Sequence, residues 1–289
     1  MKPVWQLACG LQPAFGAAFG IMGIVNCTND SFYEAARTPS ADQAIARARK
    51  LLAEGADIID LGAESSRPGS VSIDPDCEAQ RLIPVLSALK SCGAFLSVDT
   101  WHAQTARMAL EQGCAIINDI SAARWDPELL DVLVSWKPGY VLMHAGDRPK
   151  VMQNNPVYNN VVDDELNFFT CALNRLVAAG LPEERIVLDL GIGFGKTLAH
   201  NLSLLTSIPR FLSLGRPLLL GLSMKSMFYD LLGLELKDRA CATQVATALL
   251  FTQGVFWHRV HHVAETRRSL LLAQAMQHST KDDLSRYGL

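Results

Sequence analysis

The sequence predicts an α/β protein that folds as a single-domain (β/α)8 TIM barrel. Eight short apolar segments alternate with segments whose apolar residues recur at helical spacing, and this alternation is typical of a parallel sheet covered by helices. The chain has 289 residues, a length that suits one closed barrel of eight units. No linker or low-complexity segment divides it, so we predict one domain over residues 1–289 with a core from about 18 to 277.

Each predicted strand is a short apolar run that ends near a polar residue or a glycine. Apolar runs bounded by turn residues are typical of strands that are buried on both faces of a parallel sheet. The eight strands are predicted at residues 17–25, 57–62, 95–99, 114–120, 139–143, 186–189, 216–221 and 254–261.

Each predicted helix follows one of these strands. In the first helix, Ile45, Ala48, Leu51 and Leu52 recur at helical spacing and Gly55 follows the last turn, as is usual at a helix end. The eight helices are predicted at about residues 41–54, 75–89, 102–112, 126–136, 163–179, 201–208, 237–253 and 264–276.

Charge and cysteine content restrict the class of protein. The formal net charge of -3 gives no general attraction to nucleic acid or to an anionic membrane. No apolar run is long enough to span a bilayer, and Pro13 interrupts the stretch around Leu7, which argues against a signal peptide. The seven cysteines form no Cys-x-x-Cys pair. Such thiols are usually reduced, so we expect a cytoplasmic protein. From the charge and the short apolar runs we expect no nucleic-acid or membrane partner.

The sixth predicted strand carries the most informative residues. The apolar run that begins at Ile186 ends at Asp189, and three alternating glycines then lead to Lys196. A phosphate-binding loop would need a glycine in place of Leu190, and the even glycine spacing does not match a dinucleotide fingerprint. We therefore interpret the stretch as a buried strand with a poorly solvated carboxylate at its end. Such a group needs a structural partner or a ligand that donates hydrogen bonds.

Polar residues also follow most of the other strands. Because the carboxyl ends of barrel strands converge on one face, we expect these residues to form a composite site at the mouth of the barrel. They are Asn26, Glu64, Ser66, Arg67, Asp99, Asn118, His144, Asp189, Lys225, Arg259 and His261.

Several polar residues have simpler interpretations. We interpret Asp60 and Asp119 as caps of the helices that follow them, His144 as a residue that forms hydrogen bonds within the barrel, and Glu64 as a support for its loop. The histidines near or after the last strand show no metal-ligand spacing. We interpret them as surface or packing residues; they are His258, His262 and His278.

The composite site divides into two chemical halves. The carboxylates of Asp99 and Asp189 and the amide of Asn118 suit a planar heterocycle that presents amino and ring N–H groups, and Met143 and Phe194 are placed to line a flat apolar slot. No serine or cysteine with an ordered base suggests covalent catalysis. The other half suits oxyanions, especially phosphate, and consists of Arg67, Lys225, Arg259 and His261.

Asn26 offers one further kind of contact. Its side-chain oxygen suits Mg²⁺, which usually binds through few protein groups together with water and substrate phosphates. The residues alone therefore predict a substrate that is a planar nitrogen heterocycle with a phosphate or carboxylate group.

Eight motifs occur in the same order as in one enzyme family. They are Asn26-Cys-Thr-Asn-Asp-Ser-Phe32, Gly62-Ala-Glu-Ser-Ser-Arg-Pro-Gly69, Ser97-Val-Asp-Thr100, Asn118-Asp-Ile120, Leu142-Met-His144, Asp189-Leu-Gly-Ile-Gly-Phe-Gly-Lys196, Ser223-Met-Lys-Ser226 and Arg259-Val-His261. From about Gly20 to Met276 the chain resembles the dihydropteroate synthases. The resemblance implies a folate-pathway transferase that joins p-aminobenzoate to 6-hydroxymethyl-7,8-dihydropterin diphosphate, giving 7,8-dihydropteroate and pyrophosphate.

The resemblance also implies roles for individual residues. It places the pterin against Asp99, Asn118, Ile120, Met143, Asp189, Gly193, Phe194 and Lys225. It places p-aminobenzoate, with which sulfonamides compete, against Ser66, Pro68, Phe194, Lys225 and Ser226. It assigns Mg²⁺ to Asn26, and the implied catalytic residues are Asp99, Lys225, Arg259, His261 and Arg67.

The chain departs from the usual pattern of that family at several positions. Asn29 and Leu190 replace prolines, Ser66 replaces a threonine, Met224 replaces an arginine, and His262 replaces an aspartate. The change at Met224 removes a cation from the anion-binding loop.

Two alternative functions remain open. One is a pterin-binding barrel that transfers a methyl group from a folate, and the other is a pterin-binding partner protein without catalysis. The motif from Arg259 to His261 favours the synthase over methyl transfer, because a methyl donor needs no diphosphate site. The resemblance further implies a homodimer formed through the last helices.

Overall fold

The computed structural model describes residues 5–7, 19–27, 41–64 and 69–277 of the chain. Within them, eight parallel strands form one sheet in the order β6-β5-β4-β3-β2-β1-β8-β7. The strands are β1 (Gly20–Asn26), β2 (Ile58–Gly62), β3 (Phe95–Asp99), β4 (Ile116–Asp119), β5 (Gly139–Met143), β6 (Ile186–Asp189), β7 (Leu219–Leu220) and β8 (Trp257–Val260).

The sheet closes on itself between β6 and β7. Leu188 and Leu218 form a parallel bridge, and the Leu188 amide donates to the Pro217 carbonyl at 3.0 Å. The sequence predicts strand seven over residues 216–221, but the strand is limited to two residues; Pro217 has no amide to donate to a ladder. The result is a nearly closed barrel, and the predicted (β/α)8 fold class is confirmed.

Ten α-helices lie within the described residues, two more than the sequence predicts. The segment predicted at 201–208 forms two helices that meet at Ser207, because Pro209 cannot donate an amide to continue the first one. A short helix after β7 was not predicted. The helices are α1 (Ala41–Ala53), α2 (Pro75–Leu89), α3 (Ala103–Glu111), α4 (Glu128–Trp136), α5 (Val161–Ala179), α6 (Leu198–Thr206), α7 (Ile208–Leu212), α8 (Met227–Leu232), α9 (Arg239–Thr252) and α10 (Val263–Gln277).

Capping residues set the ends of helices α2 and α5. The Asp74 carboxylate accepts a hydrogen bond from the Asp76 amide at 2.9 Å, and a proline opens α2. Asn160 accepts from the first amides of α5, and Gly180 ends that helix with φ +110°. Each pattern satisfies backbone groups that a helix end leaves unpaired.

Residues near the start of the chain fill the amino end of the barrel. The Trp5 indole donates to the Arg185 carbonyl at 2.7 Å, across 180 positions of sequence, and its ring meets that of Trp257 edge to face at 5.2 Å. Leu7 is fully buried. A Cβ built on Gly139, at the start of β5, would lie 2.7 Å from a Leu7 methyl carbon, so this glycine leaves the space that Leu7 occupies.

Within the described residues, no helix combines the length and the apolar character needed to cross a membrane. The extent of the single domain, over residues 1–289 with a core from about 18 to 277, stays a prediction.

Candidate active site

A pocket opens where the carboxyl ends of the strands converge. Its lining brings together every described residue predicted to contact the pterin except Gly193. A Cβ built on Gly193 would lie 3.5 Å from Lys225 Cδ, so this glycine lies directly against the Lys225 side chain. The lining residues are Asp99, Asn118, Ile120, Met143, Asp189, Gly191, Ile192, Phe194, Gly221, Lys225 and Arg259.

Arg259 joins two carboxylates at the base of this pocket. Its Nε donates to Asp60 Oδ2 at 2.7 Å and its Nη2 donates to Asp99 Oδ2 at 2.8 Å. Asp60 Oδ2 also accepts from the Asn118 amide nitrogen at 3.0 Å. The interpretation of Asp60 as a helix cap is therefore wrong, because the side chain is fully buried inside the barrel and pairs with two pocket residues.

The Arg259 network sets the charge of the pocket. Burial lowers the pKa of Arg259, but the carboxylates of Asp60 and Asp99 more than offset this and leave the pKa raised. The guanidinium therefore keeps its charge. An arginine has five N–H groups, and these two carboxylates engage two of them, so the side chain retains donors for an anionic ligand.

Asp189 ends β6 and remains 6% exposed. Burial raises the pKa of its carboxyl, whereas the Gly191 amide, which donates to Oδ1 at 2.8 Å, and the charges of Lys225 and Arg259 oppose the rise. The sequence predicts that a poorly solvated Asp189 needs a structural partner or a ligand. The Gly191 amide, in the loop that follows β6, is such a partner. The carboxylate also lines the pocket, where it can accept hydrogen bonds from a ligand.

The glycine-rich loop after β6 approaches other backbone closely at Gly191, and this predicts a large loss of stability on substitution. We expect Gly191→Ala to lower the free energy of unfolding by at least about 3 kcal/mol. Gly191 has φ +60°, and a Cβ there would lie 1.9 Å from the His144 carbonyl oxygen; no rotamer relieves a clash with backbone. Denaturant unfolding measures the change.

Gly215→Ala is a matched control for this substitution. Gly215 has φ +76° and nothing within 4 Å of a built Cβ, so we expect only the conformational cost of about 1 kcal/mol. If both variants lost the same free energy of unfolding, the close approach of Gly191 to the His144 carbonyl would not be the reason for a glycine at this position.

Lys225 lies beside Phe194 at the pocket, with Nζ 4.1 Å from the ring centroid. Its backbone follows Met224, which has φ +63°. Arg239 Nη1 donates to the Met224 carbonyl at 3.1 Å, and the Met224 amide donates to Thr243 Oγ1 at 3.3 Å. Helix α9 therefore holds the loop in a conformation that is uncommon for a residue with a side chain.

Two pocket groups titrate near neutrality, so we expect affinity for the heterocycle to be highest near pH 7. Burial raises the pKa of Asp99 to about 7, with Arg259 opposing the rise and Asp60 adding to it. Burial lowers the pKa of Lys225 to about 7, with Asp189 opposing. As pH falls, Asp99 gains a proton and loses its role as a charged acceptor; as pH rises, Lys225 loses its charge.

Calorimetric titration with a pterin between about pH 5 and pH 9, at constant ionic strength, tests this expectation. The Lys225→Arg variant keeps its charge throughout and should lose the decline on the basic side. An affinity that does not change with pH in the unaltered chain would contradict the assignment.

Other predicted site residues lie outside the pocket lining. His261 Nδ1 lies 2.9 Å from Ser223 Oγ, which also accepts from the His261 amide. Ser226 is exposed at the start of α8, and Asn26 is half-buried at the carboxyl end of β1. The following residues singled out from the sequence lie outside the described residues: Pro13, Asn29, Ser66, Arg67, Pro68 and His278.

The structural interpretations of His144 and His258 are supported, whereas that of Asp119 as a cap of the following helix is wrong. The Asp119 carboxylate accepts from the Ser121 and Ala123 amides at 2.6 Å each, so it caps the turn after β4 rather than helix α4. His144 is buried and bonds within the barrel. His258 is 1% exposed and is a packing residue.

Glu64 lies in an acidic group separate from the pocket lining. His102 Nδ1 is 3.0 Å from Glu78 Oε2 and 3.9 Å from Glu64 Oε2, and the Thr100 hydroxyl donates to Glu78 Oε2 at 2.9 Å. Burial raises the pKa of Glu64 to about 7, and the charge of Glu78 adds to the rise. The role of Glu64 as a loop support stays a prediction.

Fold and site together define a (β/α)8 barrel whose mouth suits a planar nitrogen heterocycle and, beside it, an anion. The sequence model of a family described as pterin binding enzyme matches residues 22–261. The dihydropteroate synthase of Haemophilus influenzae is 37% identical over 256 residues, which cover 88% of this chain and 93% of that protein. The inactive dihydropteroate synthase 2 of Mycobacterium leprae is 38% identical over 279 residues, or 94% and 95% of the two chains.

Solved structures agree with these relatives. The dihydropteroate synthase of Xanthomonas albilineans, solved with 4-aminobenzoic acid, superposes with a TM-score of 0.87 and 34% identity, covering 97% of this chain and 100% of that one. The chain belongs to the dihydropteroate synthase family, a transferase family of folate biosynthesis.

Proposed function

We propose that this chain condenses 6-hydroxymethyl-7,8-dihydropterin diphosphate with p-aminobenzoate, giving 7,8-dihydropteroate and pyrophosphate. The observation that carries the proposal is the pocket itself, where Asp99, Asn118 and Asp189 lie together with Lys225 and Arg259. Acceptor groups for a donor-rich heterocycle therefore adjoin cations for an anion.

The pterin ring is proposed to bind through its amino-pyrimidine edge. That edge presents N–H donors, which Asp189 and Asn118 can accept, while Met143, Ile120 and Phe194 supply apolar walls for a flat ring. Each buried acceptor left unpaired costs free energy, so the pocket favours a ligand whose donors match these positions.

The reaction breaks the bond between the pterin methylene carbon and the diphosphate oxygen and forms a bond from that carbon to the aniline nitrogen. Pyrophosphate leaves with the bonding electrons, and the nitrogen attacks with its lone pair and releases one proton to solvent. An aniline is neutral at pH 7, so no strong base is needed. Positioning of the two substrates and stabilisation of the leaving group dominate the catalysis. Arg259 retains its charge and supports the second role.

We propose Mg²⁺ as the cofactor, held by the Asn26 side-chain oxygen together with substrate phosphates and water. One neutral oxygen at the mouth suits an ion that keeps most of its water ligands. Bound there, Mg²⁺ would neutralise charge on the diphosphate. Within the described residues, the one group of three acidic, histidine or cysteine side chains close enough to share an ion is Glu64, Glu78 and His102.

The Asn26→Ala variant should need more Mg²⁺ for half-maximal rate, yet bind a pterin without diphosphate as before.

p-Aminobenzoate is proposed to bind beside Phe194, Lys225 and Ser226, with sulfonamides as competitors. The solved relative with 4-aminobenzoic acid supports this substrate. Inhibition by a sulfonamide that p-aminobenzoate fully reverses would support the shared site, and inhibition that p-aminobenzoate leaves unchanged would contradict it.

Pyrophosphate release by the purified protein tests the reaction. The assay contains Mg²⁺ and the dihydropterin diphosphate, with and without p-aminobenzoate, and mass spectrometry identifies the product. Release that depends on p-aminobenzoate and yields dihydropteroate supports the synthase. Pterin binding without any conjugate contradicts it.

Pterin binding without catalysis is the second candidate function. It is favoured by the inactive relative from M. leprae, which matches almost the whole chain at 38% identity, and by Met224 in place of the usual arginine. If no conjugate forms, Met224→Arg and Asn29→Pro are the first changes to make, and activity gained by either would show which departure matters.

A homodimer and a cytoplasmic location complete the proposal. Helices α9 and α10 pack together and expose four apolar side chains, Val245, Leu249, Leu272 and Met276; an apolar surface of this kind suits a self-complementary interface. Sedimentation velocity should show a dimer that Leu249→Glu dissociates, and a monomeric unaltered chain would contradict it.

The proposed cytoplasmic location is supported by the cysteines. Those in the described residues are free, as is usual in a reducing compartment.

A further inference from the structure

We propose that Lys196 is a positioning residue for the pterin pocket. Its buried ammonium group holds the loop at residues 191–196 in the conformation that presents Phe194 to the substrate. The inference rests on the proposed function, because it concerns the same pocket, although Lys196 does not line that pocket.

The Lys196 side chain is fully buried and connects three separate points of the backbone. Its Nζ donates to the Gly191 carbonyl at 3.0 Å and to the Phe194 carbonyl at 3.2 Å. It also donates to the His144 carbonyl, just beyond β5, at 3.2 Å. One cation therefore bonds the loop to itself and to the neighbouring strand end.

The loop depends on such bonds because of its composition. Gly191, Gly193 and Gly195 all have positive φ, at +60°, +81° and +67°. Glycine loses more conformational freedom on ordering than other residues and has no side chain to pack. At these three positions hydrogen bonds must therefore supply what side-chain packing supplies at Ile192, which is 2% exposed in the core.

Other side chains engage four further backbone groups of the loop. Lys196 is the side chain that engages the carbonyls of Gly191 and Phe194, and the first of these also closes the turn by accepting from the Phe194 amide at 3.0 Å. The other bonds run from the Gly191 amide to Asp189, from the Gly193 amide to Asn201, from Gln153 to the Gly193 carbonyl and from Tyr158 to the Gly195 carbonyl.

These bonds connect directly to the pocket. Gly191 and Phe194, whose carbonyls Lys196 engages, both belong to the lining. The Phe194 ring also supports the ammonium group of Lys225 at 4.1 Å. A loop that moved would displace the apolar wall, the Lys225 contact and the Gly191 amide that orients Asp189.

Lys196 also has a charge partner, which gives a simpler explanation to test. Glu165 Oε1 lies 3.1 Å from Lys196 Nζ and 3.0 Å from His144 Nδ1. Burial lowers the pKa of Lys196, and Glu165 opposes the decrease. If Lys196 served only to neutralise Glu165, removing both charges together would leave the pocket intact.

Two variants separate positioning from charge compensation. Lys196→Met keeps a long side chain but removes every donor, and it leaves the Glu165 carboxylate buried without its cation. The double variant Lys196→Met with Glu165→Gln removes both charges and restores neutrality. The measurements are the melting temperature, calorimetric affinity for 6-hydroxymethylpterin, and KM for the pterin diphosphate beside kcat.

We expect the double variant to recover most of the melting temperature lost in Lys196→Met, while its pterin affinity stays at least about 10-fold below that of the unaltered chain. KM for the pterin diphosphate should rise accordingly, with a smaller change in kcat. A double variant that binds the pterin within about 2-fold of the unaltered chain overturns the inference. If the single variant does not fold, the double variant decides alone.

The unaltered chain tests the proposed function separately. Absence of turnover there overturns the proposed function, whether or not the pterin binds. Turnover by the unaltered chain, together with an unimpaired double variant, overturns only the positioning role of Lys196.

Discussion

Replacing Asp189 by asparagine should reduce pterin affinity by about 100-fold, or ~3 kcal/mol. The carboxylate is almost fully buried and accepts from the Gly191 amide while it faces the pocket. Asparagine substitutes a neutral amide for a charged acceptor, and its NH₂ group points a donor either at Gly191 or at the donor edge of the ligand. Calorimetric titration with 6-hydroxymethylpterin measures the loss.

Asp163→Asn is the matched control for that change. Asp163 is likewise a carboxylate with a hydrogen-bond donor beside it, but it pairs with Arg210 and both side chains of that pair are about half exposed. Exposed pairs contribute little, so its pterin affinity should equal that of the unaltered chain. If Asp189→Asn bound pterin as tightly as this control, the assignment of Asp189 to the binding site would be wrong.

Replacing Arg259 by methionine should lower kcat by about 1000-fold and also lower the free energy of unfolding by roughly 3–5 kcal/mol. The catalytic loss follows from removing the charge proposed to stabilise the leaving diphosphate. The stability loss follows because Asp60 and Asp99, which both contact Arg259, would face each other without their shared cation. Steady-state kinetics and denaturant unfolding measure the two effects.

The double variant Arg259→Met with Asp60→Asn distinguishes the two losses. It removes one carboxylate along with the cation, so stability should recover in part while kcat stays low. Arg210→Met provides the surface control, since its ion pair is exposed. Recovery of kcat together with stability would mean that Arg259 acts only through the fold.

The sequence was most informative at the ends of strands. Asp99, Asn118 and Asp189 each end or nearly end a short apolar run, and a parallel barrel must bring such ends to one face. Their convergence in one pocket therefore follows from topology and needs no knowledge of side-chain contacts. The same argument placed Lys225 and Arg259 beside them.

Contacts between distant elements could not be predicted in this way. Asp60 carried a usable signal, an acid between apolar residues of a strand, but only the barrel geometry shows that it meets Arg259. The pairing of Lys196 with Glu165 joins a loop to a helix and has no local spacing that would reveal it. Helix α8 was missed because it has only six residues, too few to show a helical period.

The packing of Trp5 and Leu7 has a consequence for the order in which the protein folds. Trp5 meets Trp257, and β1 pairs with β8, so the first and last parts of the chain complete the same layer of the core. Contacts between residues far apart in sequence slow folding, because the chain must close a long loop before they stabilise it. During synthesis, the first strand therefore stays without one of its two neighbours until the last strand has left the ribosome.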